Sequence, residues 1–300
     1  MKEQSLHIET PLLHSQRLFK QTGKSVYLKI EALQPSGSFK MRGIGRLCQC
    51  YKAEGFEQLV ASSGGNAGLA VAYCGKILGM PTTVFIPSTS HPLFVDELKI
   101  YGATVVVAGK DWDSAHLAAL DYIKQHHAAY IPPFDHPMIW AGHATLIDEL
   151  VKQGMRPDAM VASVGGGGLA CGLLEGMHQH GWKDIPLIAV ETQGADGLYR
   201  SVQAQKMVTL DAVTTRATSL GIKRVSARLY EWTQEHDVKV VVVSDDEAEA
   251  GARAFAADKR IMVELSAGAA LSVAYTNHPI LQPYQTIVVV VCGGINTAFF

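Results

Sequence analysis

A chain of 300 residues, 48% of them hydrophobic, carries enough apolar surface for one large α/β domain or two smaller ones. Its net charge of −2 and pI near 6.6 provide no field that would gather nucleic acid or an anionic membrane surface. The N-terminal residues mix Lys, Glu, Gln and His without the apolar core of a secretion signal, and the apolar run at 287–292 is too short to span a bilayer, so the sequence predicts a soluble, cytoplasmic protein.

In chain order, β-branched runs predict strands at 26–30 and 59–62, followed by a helix with apolar periodicity over 67–78. Strands at 82–86 and 104–108 precede a helix over 112–126. Further on come a strand at 160–164, a helix over 169–180, strands at 187–191 and 238–243, a helix over 245–258 and a strand at 286–292. The strand runs are continuously apolar rather than alternating, as in parallel sheets covered on both faces. Such β and α alternation gives an open, doubly wound α/β sheet. Five cysteines at irregular positions 48, 50, 74, 171 and 292 predict free thiols in a reducing compartment. Cys48 and Cys50 are too close for a C-x-x-C pair, and the twelve histidines follow no metal-ligand spacing.

Open α/β sheets bind ligands beyond the carboxyl ends of their strands, and three glycine-rich turns fall there. Gly165, Gly166, Gly167 and Gly168 follow a predicted strand and open a predicted helix, more glycine than a tight turn needs. Glycine lets the backbone approach an anion and the helix N-terminus offers unpaired N–H groups, so the chemistry points to a phosphate. Gly165, Gly167 and Ala170 also satisfy the relaxed G-x-G-x-x-A dinucleotide pattern, with Glu191 ending the next strand, which keeps a nicotinamide enzyme open. Ser62-Ser63-Gly64-Gly65-Asn66-Ala67-Gly68 has the same strand-turn-helix setting with hydroxyls and an amide added; it caps a helix or receives a carboxylate. Cys292-Gly293-Gly294 closes the last predicted strand, where a thiol either fills a core or meets a ring nitrogen. Lys40, after Pro35-Ser36-Gly37-Ser38-Phe39, would be an ordinary solvated side chain by itself, yet desolvation turns such a lysine into a nucleophile.

These four segments in this order resemble the serine/threonine dehydratases of the fold-type II pyridoxal phosphate (PLP) enzymes, nearest to the L-serine dehydratases, from about Thr10 onward. Pro132-Pro133-Phe134-Asp135-His136-Pro137, Glu191-Thr192 with Gly194-Ala195, and Ser219-Leu220-Gly221 extend the likeness. The resemblance implies a tryptophan synthase β-like fold of two open, mostly parallel α/β domains. The smaller would span 35–134, within a larger one of 1–34 and 135–300. It implies PLP as a Schiff base on Lys40, the catalytic residue, with Phe39 against the ring, Asn66 at the ring hydroxyl, Gly165 to Gly168 on the phosphate and Cys292 beside the ring nitrogen. Ser62, Ser63, Gly64 and Asn66 would bind an amino-acid substrate, and Glu191, Ala195, Leu220 and Ile222 would hold a monovalent cation such as K+.

The activity so implied is α,β-elimination from L-serine or L-threonine, giving pyruvate or 2-oxobutanoate and ammonia, in a homodimer without nucleic-acid or membrane partners. PLP-dependent β-replacement or another lyase reaction and a non-catalytic amino-acid sensor are the alternatives beside the nicotinamide enzyme. The chain departs from the family in three places. Gly64 stands where related racemases carry a serine, which disfavours racemisation; Ile295 intervenes between Cys292-Gly293-Gly294 and Asn296; and the chain stops at Phe300, short of a further helix or a regulatory domain.

Overall fold

The computed structural model describes residues 5–297, so the departure at Phe300 lies outside the described residues. The chain opens with β1 (Leu12–His14), α1 (Gln16–Thr22) and β2 (Ser25–Ile30), then enters α2 (Lys40–Ala53), β3 (Gln58–Ala61), α3 (Asn66–Leu78) and β4 (Thr82–Ile86). It continues through α4 (Pro92–Ile100), β5 (Thr104–Val107), α5 (Trp112–Gln125), β6 (Ala128–Tyr130) and α6 (Pro137–Lys152). Then follow β7 (Ala159–Ser163), α7 (Gly168–Gln179), β8 (Leu187–Thr192), α8 (Gly197–Ala204) and α9 (Ala227–Glu235). The last elements are β9 (Val238–Val243), α10 (Asp245–Lys259), α11 (Leu265–Tyr275) and β10 (Thr286–Val291). Among the described residues the chain falls into two compact units, one of 5–8 with Gln34–Gly142, the other of Glu9–Leu33 with 143–297.

The first unit is built on a four-stranded sheet in the order β5-β4-β3-β6, parallel throughout. β4 is buried at every residue, which is why its sequence shows no alternation. Ala115 and Ala119, one turn apart on α5, are small enough to bring that helix against Val60 and Phe85. Asp111 starts α5 by accepting from the Ser114 N–H at 2.8 Å, a cap that contributes about 1 kcal/mol.

Among the described residues the second unit holds six strands in the order β1-β2-β10-β7-β8-β9, with only β1 antiparallel to its neighbour. β7 and β8 are buried along their whole length, as is β10 after Thr286. α11 packs on β7, β8 and β10 and is covered in turn by α10. Ten of its residues, Leu265 to Ala274, are buried, so it is apolar all round rather than amphipathic. Two glycines let α10 and α11 touch: a Cβ on Gly251 would sit 2.4 Å from the Gly268 carbonyl, and one on Gly268 2.1 Å from that of Ala248. In the same unit, the fully buried Lys29 on β2 meets Glu149 of α6 at 2.6 Å and donates to the Thr10 carbonyl at 2.8 Å. Removing either partner of such a pair strands a charge in the core and costs roughly 3–5 kcal/mol.

Candidate active site

In the first unit, Lys40 is the first residue of α2, behind a turn in which Gly37 adopts φ +79° and donates to the Gln34 carbonyl at 2.7 Å. Phe39 precedes the helix without a side-chain cap bond. The half-buried Lys40 donates from Nζ to the Pro133 carbonyl, 5.1 Å from the Phe39 ring centre and 6.0 Å from that of Phe134. The aromatic faces and the carbonyl together hold the Nζ group in place. Ser36 and Ser38 are 1% and 0% exposed, and their hydroxyl oxygens have no hydrogen-bond partner within the protein. A buried hydroxyl without a partner costs about 1–3 kcal/mol, so these two call for a polar ligand.

The second loop of this unit turns from β3 into α3. Gly65 is the N-cap of α3 and makes no side-chain cap bond, so the first N–H groups of this 13-residue helix lack the usual capping oxygen. Gly68 is required by the close fold of the turn: a Cβ there would lie 1.7 Å from the Ser63 carbonyl oxygen. A Cβ on Gly64 would come within 3.0 Å of Ser90 Oγ and 3.1 Å of Ile86 Cγ2. Asn66, at the first position of the helix, is buried. Behind the loop stand two residues that the sequence reading had not singled out, Tyr130 and His116. Tyr130 Oη lies 2.7 Å from both Ser62 Oγ and His116 Nδ1.

In the second unit the glycine run joins β7 to α7. Gly167 has φ +96° and caps the helix without a side chain, and a Cβ on it would reach 2.6 Å from Leu229 Cδ2. A Cβ on Gly165 would lie 3.0 Å from Leu220 Cα, and the Gly166 carbonyl accepts from Ser226 N–H at 2.9 Å. The run is thus held between the 219–220 turn and α9, and its Gly167 N-cap offers α7 no capping side chain. Such a backbone cradle with a helix dipole behind it fits a phosphate. Ser163, just before it, donates to the Ser266 carbonyl and accepts from Ala270 N–H, which ties the strand end to α11.

Cys292 follows β10 and is 4% exposed. Since β10 lies beside β7, the thiol and the glycine run share the carboxyl end of one sheet, with Glu191 on the next strand, β8. Asn296 donates from Nδ2 to Thr218 Oγ1 at 3.1 Å, so Ile295 still leaves that asparagine bonded to the turn ahead of Leu220. Among the predicted cation ligands, Glu191 points elsewhere in part. Its Oε1 accepts from Leu198 N–H and its Oε2 from Tyr199 N–H, each at 2.8 Å, so the carboxylate caps α8. Burial nonetheless raises its pKa to about 7, against those two bonds. The loops carrying Ala195 and Ile222 lie together, with Gly197 beside the Lys223 carbonyl, while the Leu220 carbonyl already accepts from Ile222 N–H at 2.8 Å. No group of three or more His, Cys, Asp or Glu side chains among the described residues could hold a metal ion. Among these residues, too, no helix is long and apolar enough to cross a membrane.

In the first unit the lysine and the buried hydroxyls suit the amine-reactive carbonyl of pyridoxal phosphate, and in the second the backbone cradle by itself suits a phosphate. Comparison with known proteins agrees with that fit. A family model described as "Pyridoxal-phosphate dependent enzyme" matches residues 4–293. The L-serine dehydratase/L-threonine deaminase of Bos taurus is 44% identical, the match covering 99% of this chain and 94% of the relative. The human serine dehydratase-like protein is also 44% identical, over 98% of this chain and 92% of its own length. The crystal structure of a fungal L-serine ammonia-lyase from Rhizomucor miehei superposes with a TM-score of 0.92 at 39% identity, covering 97% of this chain and 95% of that one.

Proposed function

The chain belongs to the pyridoxal-phosphate dependent enzymes, and we propose that within them it is an L-serine ammonia-lyase that also accepts L-threonine. The observation that carries the reading is Lys40, held at the Pro133 carbonyl beside Phe39 in a segment whose buried Ser36 and Ser38 hydroxyls lack partners within the protein. The relatives named for serine dehydration, matched along nearly their whole length, support the choice of substrate.

In this reading Gly165 to Gly168 would hold the phosphate, Phe39 would pack on the ring, Asn66 would meet the ring hydroxyl and Cys292 would lie by the ring nitrogen. When bound, the cofactor supplies an electron sink for negative charge at the substrate Cα. Ser62, Ser63, Gly64 and the first N–H groups of α3 take the substrate carboxylate. Lys40 Nζ, as a neutral amine, removes the Cα proton. Departure of the β-hydroxyl as water leaves an enamine that hydrolyses to pyruvate and ammonia, or to 2-oxobutanoate and ammonia from threonine. A thiol at position 292, unlike a carboxylate, would not keep a proton on the ring nitrogen, which would favour elimination over transamination. The nicotinamide reading is disfavoured by the family, whose model describes pyridoxal-phosphate dependent enzymes. The same reading takes 35–134 as a smaller domain, assigns a monovalent cation to oxygens of Glu191, Ala195, Leu220 and Ile222, and makes the protein a cytoplasmic homodimer.

The test is 2-oxo acid release from L-serine and L-threonine with PLP and K+, for wild type and Lys40→Ala. Pyruvate from serine, lost in Lys40→Ala, is the expected result. A PLP-bound wild type that releases no oxo acid overturns the assignment, and consumption of serine only when a thiol is added would move it to β-replacement.

A further inference from the structure

Ser62, Tyr130 and His116 form a closed hydrogen-bonded cluster within the first unit. Ser62, just past β3, is 1% exposed. Tyr130 ends the neighbouring strand β6, in register with Val60, and its Oη is 2.7 Å from Ser62 Oγ. His116, on α5, places Nδ1 2.7 Å from Tyr130 Oη and 3.4 Å from Ser62 Oγ. Trp112 stacks on the imidazole, ring centres 4.7 Å apart and planes within 8°, which holds the plane of the ring.

Proton counting allows two polarities. If Nδ1 accepts, Tyr130 O–H points at His116 and Ser62 O–H points at Tyr130, which leaves only serine lone pairs for a ligand. If Nδ1 carries the proton, it donates to Tyr130 Oη, Tyr130 O–H donates to Ser62 Oγ, and the serine proton is left over. Only the second arrangement favours an anion. Burial raises the Tyr130 pKa, against the opposing effect of its bond to Ser62, so the phenol keeps its proton and changes polarity by rotating it. Burial lowers the His116 pKa, partly offset by Asp113 one turn earlier, so the neutral ring selects the polarity through its tautomer.

We propose that Tyr130 and His116 are positioning residues that turn the Ser62 hydroxyl into a hydrogen-bond donor for the substrate carboxylate. The proposal rests on the reading above that Ser62 receives that carboxylate. It predicts an effect on binding that passes through Ser62, which a packing role would not have.

The experiment uses PLP-loaded wild type, Tyr130→Phe, Ser62→Ala, the double variant and His116→Phe, which keeps a ring against Trp112. KM and kcat for L-serine are measured with the dissociation constant of L-alanine, read from the cofactor absorbance, and the melting temperature. Tyr130→Phe is expected to raise KM and the L-alanine constant about 10- to 150-fold with kcat within about twofold, the scale of one hydrogen bond to a charged group. His116→Phe moves the same constants in the same direction. Ser62→Ala has at least as large an effect, and adding Tyr130→Phe to it changes neither constant further. An undiminished Tyr130→Phe effect in the Ser62→Ala background overturns the relay, as does a Tyr130→Phe protein that binds L-alanine like wild type. If wild type releases no oxo acid, the dehydratase reading fails, yet the L-alanine constants still decide the relay. A wild type that does not bind L-alanine sinks it.

Discussion

The two glycine-rich turns look alike in sequence and differ in how they present donors. The run at Gly165 to Gly168 offers only backbone, pinned between Leu220 and Leu229 at the N-terminus of α7. The turn at Ser62 to Gly68 adds hydroxyls, one of them backed by two further side chains with protons that can switch direction. A backbone cradle cannot change polarity, which suits a phosphate that stays. A hydroxyl whose proton is set from behind suits a carboxylate that must bind and leave at every turnover.

The largest expected effect comes from breaking the second turn. In Gly68→Ala the new Cβ falls 1.7 Å from the Ser63 carbonyl, so the turn must open, and kcat/KM for serine should fall by more than about 100-fold while PLP binding, measured by equilibrium dialysis, suffers less. Equal loss of both would erase the distinction between the turns. Gly167→Ala is the reciprocal case. It forces alanine into φ +96° and against Leu229, and should weaken PLP about tenfold, with serine KM unchanged once cofactor saturates.

A smaller effect concerns the strand next to the cradle. Glu191 holds its proton to about pH 7 in the folded protein, against 4.5 ordinarily. The folded chain therefore binds this proton more tightly than the unfolded one, so the stability it contributes is full below about pH 4.5 and is lost as pH rises through 7, by up to roughly 3 kcal/mol. Urea melts from pH 5 to 8 should show that decline in wild type and not in Glu191→Gln. Added K+ should flatten it if a cation sits against the carboxylate, and a slope indifferent to K+ would remove Glu191 from the cation reading.

Most of the strands were legible because parallel sheets buried on both faces leave continuous apolar runs; 82–86 and 238–243 match β4 and β9 residue for residue. β6 was not, since Ala128–Tyr130 has three residues, none β-branched, and follows two histidines. α11 was missed for the opposite reason: a helix apolar on every side has no period to read. At the site, Lys40 and the glycine runs announce themselves by residue type. Tyr130 and His116 do not, because they reach Ser62 only through the β3 and β6 register and the docking of α5 across 68 and 54 residues of chain.

The strand order of the larger sheet bears on how the protein is made. β10 follows nine other described strands in the chain, yet it lies between β2 and β7. A ribosome that has delivered everything up to Tyr284 has released two sheet fragments, β1-β2 and β7-β8-β9, each with a naked edge where β10 belongs. Naked strand edges recruit other chains, and pairings this distant in sequence close slowly. Until β10 inserts, those two edges stay open to pairing with other chains, and Cys292 reaches the end of the sheet that carries the glycine cradle only with that insertion.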